Sequence, residues 1–508
     1  MKKRLAIFLA LLVAAALPLS SCGNGSTAET EGGTDTNPSA NTDGNTVAVA
    51  ETEVDPATLD ELPTDNKDYE DYTFTILGHL YEAGSVAWGV QDIAVDELTG
   101  ERINDAVFER NNRIADRFGV TIAKNLETYP SDVAKKLIQS GDDAFDLLQT
   151  TVQNQASVAV DGYLTNMNDL PYVNFEKAWW DSSTMEGIRV GDKTFYALGD
   201  SALNGKKASW LMLFNKALTD KAGIPNLYDT VREGKWTLDL LQSYAESIAV
   251  DVNGDGEMKW GEDVFGVGLQ DESVSPLLIG TGAKLIELNP DGTYNYRLNS
   301  EQVVSAMERI NGFMKKSNSN FVLNCNRYDG MANQWIEFRK IFMADQMGFY
   351  ILALSGVNLI AGDMQSDFGI IPVPKLNEAQ DRYYSTFQYG NAHSLSVPKS
   401  AQDLTRTGLI TEALQMFSHD TVLPAYYDYT LTNRNARDTD SAEMLDLIFA
   451  SRNFDISLAY TNKTDILNFL QTNAVADSFD YASKEAANRQ KVEKAVDEII
   501  EKVLHGDD

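Results

Sequence analysis

Tyr72-Thr73-Phe74-Thr75-Ile76-Leu77, closed by Gly78, alternates side chains with the period of two expected of a half-buried strand. From Glu101 to Phe118, Ile103, Val107, Ile114 and Phe118 recur at helical spacing, and Gly119 then breaks into the β-branched run Val120-Thr121-Ile122. A second helix, capped by Ser131 with Val133 and Leu137 inward, leads to the apolar strand Phe145-Asp146-Leu147-Leu148-Gln149. The order is β-α-β-α-β. It predicts a parallel sheet covered by helices, with ligands at the carboxyl ends of its strands.

Further along, Trp210-Leu211-Met212-Leu213-Phe214 and Phe265-Gly266-Val267-Gly268-Leu269 read as strands, with a helix opening at Thr237 between them. The stripe Val303, Met307, Ile310 and Met314 marks another helix, Phe368-Gly369-Ile370-Ile371 a strand stopped by Pro372 and Pro374, and Val492, Val496, Ile499 and Val503 a closing helix. A second α/β unit is therefore expected, and no fixed-period repeat is present.

At 508 residues the chain exceeds what one hydrophobic core organises, and 43% hydrophobic with 23% charged is an ordinary globular composition. Forty-two basic against 75 acidic residues, a net charge of -33, exclude the basic footprint of nucleic-acid binding. The four histidines, His79, His393, His419 and His505, lie too far apart for a helical zinc motif, and two cysteines allow no disulfide framework.

Lys2, Lys3 and Arg4 precede an apolar run from Leu5 to Leu17, too short to span a bilayer comfortably, and then Leu19-Ser20-Ser21-Cys22. The pattern reads as a secretory signal over 1–21 and resembles a bacterial lipobox, which implies lipidation of Cys22. Gly23 to Asn66 holds no aromatic residue and no Lys or Arg, so 22–66 reads as a disordered acidic tether. The expected location is the cell surface or periplasm, with membrane contact through the lipid anchor only.

Beyond the lipobox, the ordered series Asp161-Gly162-Tyr163-Leu164-Thr165-Asn166, Leu213-Phe214-Asn215-Lys216-Ala217-Leu218, Lys221-Ala222-Gly223-Ile224-Pro225, Gly348-Phe349-Tyr350 and Ser396-Val397-Pro398-Lys399 resembles extracellular solute-binding proteins of sugar-type ABC transporters. The resemblance implies a two-lobed α/β fold of the periplasmic-binding-protein kind, type II, with a hinge crossed three times and a ligand cleft between the lobes. By that analogy one lobe takes 67–199 and 391–445, the other 200–390 and 446–508, and the crossings fall near Gly199-Asp200, near Asn391-His393 and after Tyr429. It further implies a monomer that hands a carbohydrate to the permease subunits of an ABC transporter and catalyses nothing.

Asp251 to Glu262, DVNGDGEMKWGE, matches a twelve-residue calcium loop at Asp251, Asn253, Asp255, Gly256 and Glu262, with the Glu257 carbonyl as a further ligand. Lys259 departs from the pattern at the ninth position. A structural Ca²⁺ is expected, against the alternative of a solvated Asn-Gly-Asp-Gly turn.

For the cleft, Trp88, Trp210 and Tyr389 are candidate sugar-stacking rings, and Gln153, Asp200, Gln270, Asp271 and Asn391 candidate hydroxyl partners. For each ring a core role is an equal alternative, and for each polar group simple surface polarity. Trp179, Trp180 and Trp335 read as packing residues, and Cys325 as an inert buried thiol. Seventy-five carboxylates leave room for the paired acids of a secreted glycoside hydrolase or another carbohydrate-active surface protein. No serine-hydrolase elbow, phosphate loop or dinucleotide fingerprint is present.

Overall fold

The computed structural model describes residues 62, 69–81, 88–327, 334–361, 363–432 and 439–506. The signal segment, Cys22 and, apart from Leu62, the tether lie outside them. Leu62 departs from the tether reading: it is buried in the apolar cluster of Phe74 and Phe118, and its carbonyl accepts from Arg117 Nη2 at 3.0 Å.

The opening stretch folds in the expected order. Strands β1 (Tyr72–His79), β2 (Val120–Glu127) and β3 (Leu147–Thr151) are parallel, with β1 between the other two. The helix Arg102–Phe118 starts where Glu101 accepts from the Asn104 amide, and stops at Gly119, whose φ of 61° is open to a residue without Cβ. Its buried stripe is Val107, Arg110, Ile114 and Phe118; Arg110 takes an inward place and Ile103 is only half-buried. Ser131 is not the cap expected. Pro130 begins that helix after Tyr129, because a proline in the first turn gives up only an amide that has no helical partner.

The chain then leaves this sheet and builds a second. Strand β4 (Trp210–Asn215) is followed by β5 (Phe265–Leu269), the hairpin β6 (Ile286–Leu288) and β7 (Tyr294–Tyr296), β8 (Val322–Asn324), β9 (Met347–Ala353) and β10 (Phe368–Ile371). The second sheet runs β10-β4-β9-β5-β8, parallel between β9 and β5 and between β5 and β8, antiparallel elsewhere. At Gly266 an added Cβ would sit 2.0 Å from the Ala245 carbonyl oxygen, so the helix Leu238–Ile248 packs directly on the β5 backbone there. The chain returns as β11 (His393–Ser396), antiparallel to β3, and completes the first sheet as β11-β3-β1-β2. It crosses again before Thr439–Ala450, which packs on β10.

The crossings lie side by side. Ala197 and Leu395 exchange backbone hydrogen bonds at 3.0 and 2.9 Å, Trp210 donates to Thr386 and Gln388 to Ala208 at 2.9 Å, and Asn453 donates to Ser385 at 2.9 Å. Arg452 sits at their junction. Its side chain is 1% exposed, ion-paired with Asp181 at 5%, and its Nη1 donates to the Gly205 carbonyl at 2.7 Å. The guanidinium also lies over the rings of Phe387 and Phe449, 5.9 and 5.7 Å from their centres. One cation thus links Asp181, Gly205 after the first crossing and Phe387 of the second.

Trp179 and Trp180 are packing residues, as read, and share one acid. Their Nε1 atoms donate to Glu412 at 2.8 and 2.9 Å, tying this segment to the helix Leu404–Asp420. Burial pushes the Glu412 carboxyl up to about 7, against the opposing pull of these donors.

Two outcomes are expected. Asp181→Asn leaves the Arg452 cation buried without its counter-charge and should lower unfolding free energy by about 3–5 kcal/mol; adding Arg452→Met should restore part of it, read by urea denaturation. A folded-state pKa raised at Glu412 means stability fully present below the unfolded value near 4.5 and lost as pH rises through about 7. Melting temperatures of wild type and Glu412→Gln across pH 4–8 should therefore differ in slope, the variant lacking the decline between them.

Candidate functional site

The carboxyl ends of β5, β8 and β9 open onto a cavity of about 530 Å³. Its lining mixes three tryptophans, Trp88, Trp210 and Trp335, with polar groups from several elements. Gln270, Asp271 and Glu272 follow β5, Cys325 and Asn326 follow β8, and Gln388 and Asn391 lie on the second crossing. Such a convergence arises because parallel strands all deliver their following loops to the same edge of the sheet.

The polar groups hold one another in place. Asn324 Nδ2 donates to Asp271 Oδ1 at 2.7 Å, and the Asn326 side-chain oxygen accepts from the Asp271 amide at 2.9 Å. Gln388 Nε2 donates to Glu272 Oε2 at 2.8 Å and its oxygen accepts from Asn391 at 2.7 Å. Burial pushes the Glu272 carboxyl up, and the Gln388 donor offsets part of that. One group is left over: the Trp210 indole is 1% exposed, lines the cavity, and its Nε1 is buried with no hydrogen-bond partner among the described residues. A buried donor in that state costs about 1–3 kcal/mol unless something in the cavity accepts from it.

Of the residues singled out in the sequence, Trp88, Trp210, Gln270, Asp271 and Asn391 line this cavity. Gln153, Asp200 and Tyr389 do not. Tyr389 is 4% exposed, packs on Phe387 and Phe454, and its hydroxyl accepts from the Asp455 amide at 2.9 Å. Asp200 is buried 3.6 Å from Lys206 and against His419 Nδ1 at 2.7 Å, and the hydrogen bond to its carboxylate raises the His419 pKa. Gln153 accompanies the second crossing, its amide donating to the Tyr389 carbonyl at 3.3 Å.

Trp335 corrects the packing reading: it is 43% exposed and lines the cavity from the helix Gln334–Met343. Arg339, one turn further on the same face, joins it, as does Gln471. The pair Trp335 and Arg339 stands four residues apart, a spacing that could have marked them. Cys325 is buried as expected, but at the cavity wall.

The 251–262 loop is turned by its own side chains. Asp251 accepts from the amides of Gly254 and Gly256 at 2.8 Å each, and Gly256 stands at φ 82°. Lys259 ion-pairs with Asp255 and, at 3.2 Å, with Glu257, while Asn253 Nδ2 donates to Glu262 at 3.2 Å. The donors are the hard oxygens calcium takes, yet among the described residues no three acidic, His or Cys side chains gather as they would around an ion. In this arrangement the ninth-position lysine supplies the positive charge.

No family model matches the chain, and no curated protein matches it by sequence. Solved structures do. A cyclic alpha-maltosyl-1,6-maltose binding protein from Arthrobacter globiformis is 15% identical, aligned over 84% of this chain and 98% of its own, with a TM-score of 0.54. UspC from M. tuberculosis is 12% identical over 83% and 100%, with a TM-score of 0.54. A sugar transporter from Rhizobium etli, in an open conformation, is 13% identical over 85% and 99%, with a TM-score of 0.52. The chain has the two-lobed α/β fold of these proteins, with two sheets joined by side-by-side crossings and a cavity at the strand ends between them.

Proposed function

We propose that the protein is a lipid-anchored solute-binding protein that captures a sugar or oligosaccharide and delivers it to a membrane ABC permease without altering it. The observation that carries the reading is the cavity itself. Indole faces suit the apolar faces of a sugar ring, the carboxylate and amides suit its hydroxyls, and the unpartnered Trp210 Nε1 supplies a donor for a ligand oxygen. The fold is shared with proteins whose names are those of sugar binders and sugar transporters. A ligand that touches Trp88 on one side and Asp271 and Trp335 on the other collects all its contacts only when the cleft is closed, so binding and closure are coupled. The lipid anchor rests on Leu19-Ser20-Ser21-Cys22 and the apolar run before it.

Incubation with labelled oligosaccharides tests the reading: retained, unchanged ligand is expected, and a cleaved one would replace it with the hydrolase alternative. Trp210→Phe removes the indole donor together with part of the ring and should weaken binding by at least about 0.5–1.5 kcal/mol, some two- to thirteenfold, by titration calorimetry. The labelled ligand should quench or enhance intrinsic fluorescence, because three tryptophans line the cavity.

Calcium in the 251–262 loop is the second part of the proposal. Its support is the oxygen pattern of the sequence and the sharp turn at Gly256. Binding requires Lys259 to leave Asp255, so affinity should be low and should rise in Lys259→Ser. Melting curves in millimolar calcium and in chelator check this: a shift larger in the variant than in wild type is expected, and superimposable curves for both remove the ion.

A further inference from the structure

A second cavity, of about 460 Å³, adjoins the first. Trp88 lines one and Gly89 the other, and Ser355 lines both. The new compartment is walled by Gly89, Gln91 and Asn104 from the first lobe and by Ser355 and Asn358 from the second, so it too lies between the lobes. Its buried charge is unusual.

Lys207 lines this compartment at 7% exposure, and no hydrogen bond or ion pair to its ammonium exists among the described residues. The group that acts on it most directly is Asp92, 3% exposed, which already accepts from Gln149 Nε2 at 3.0 Å and the Leu203 amide at 2.8 Å. Asp92 also faces Arg110, which is fully buried and donates to the Ile93 carbonyl at 2.6 Å and to Ser418 at 3.2 Å. Two buried cations therefore share one buried anion.

Among the described residues, the two nearest titratable side chains do not supply the missing charge. His393 is buried beside them with its pKa lowered to about 3 by desolvation, by His79 and by Lys207 itself, so it is neutral at pH 7. Its Nε2 is engaged with the Tyr81 hydroxyl at 2.7 Å. Glu101 lines the compartment but is exposed and turned to the start of its own helix, accepting from the Asn104 amide at 2.9 Å. Burial lowers the Lys207 pKa to about 8 against the pull of Asp92, which leaves the ammonium charged at neutral pH. An unpaired buried charge is costly, and proteins keep one where a ligand completes it.

We propose that the two compartments form one elongated site, in which the first holds sugar rings and the second takes the carboxylate or sulfate of an acidic oligosaccharide against Lys207. The inference rests on the saccharide-binding reading above and narrows its substrate class. Ser355, at the junction with 3% exposure, is a hydroxyl within reach of either compartment's occupant. The net acidity of the chain adds to the selection: a diffuse negative surface disfavours anions in general, so only a ligand that reaches a desolvated ammonium recovers the cost.

The test uses the full chain on an array of neutral, uronate-containing and sulfated oligosaccharides, followed by calorimetry of the retained ones at fixed ionic strength. Retained glycans should carry a carboxylate or sulfate, and the uronate and sulfate arms tell which. Lys207→Met should weaken them by about tenfold or more, and Lys207→Arg should keep most of the affinity. Without ligand, Lys207→Met should melt at or above the wild-type temperature, because Asp92 and Arg110 then balance. A marked drop would make Lys207 the structural counter-ion of Asp92 and overturn the proposal. So would retention of neutral glycans only, which would leave the general sugar-binding reading intact, or acidic binding indifferent to Lys207→Met. Retention of no glycan would overturn both.

Discussion

The buried pair of Arg452 and Asp181 is the constraint on which the arrangement of the two lobes depends. A cation and an anion that are 1% and 5% exposed are tolerated only when they are paired, and here the partners come from distant parts of the chain, while among the described residues the Arg452 Nε has none. Gly205 follows the first crossing, Phe387 belongs to the second, and Arg452 itself lies just beyond the third. Displacing any one of them exposes the guanidinium to a worse environment, so the crossings are held together electrostatically as well as by their ribbon of backbone hydrogen bonds.

The cavity follows from that geometry. With the sheets on either side of the crossings, the residues after β5 and β8 and at the end of β9 line one cavity with Trp88 and the second crossing. Their polar groups pair with one another: Asn324 with Asp271 at neighbouring strand ends, Gln388 of the crossing with Glu272, and Asn391 with Gln388. Mutual pairing orients the amides and carboxylates before any ligand arrives, which lowers the ordering cost of binding. The Trp210 Nε1 in one compartment and the Lys207 ammonium in the next stay unpaired among the described residues, and under the proposed function a ligand gains most there.

The charge of the chain is distributed with the same logic. A net charge of -33 keeps the exterior repulsive towards its own kind and towards anionic headgroups, while Arg110, Lys207, Arg452 and Arg339 place cations in the interior and at the cleft. Local sequence gives little hint of this. Arg110 stands at a position of helical periodicity where an apolar residue would serve equally well, and its role appears only when Asp92 is brought beneath it.

The strand and helix order was legible because it is a matter of local period: Tyr72 to Leu77, Trp210 to Phe214 and Phe265 to Leu269 carry their own hydrophobic patterns, and Gly119 and Thr237 their own terminators. Candidates that lie just after a strand, such as Trp88, Gln270 and Asp271, were legible for the same reason, since chain direction alone places the loops after parallel strands at one edge. Tyr389 and Asp200 look alike in sequence but are consumed by contacts with Asp455 and His419, more than sixty and two hundred residues away, which no local pattern encodes. Trp335, exposed at the rim, has the composition of a packing residue, and its role depends on where the helix Gln334–Met343 docks. Whether a side chain is core, hinge or cleft was decided by tertiary structure, because burial and pairing are properties of neighbours that only the folded chain brings together.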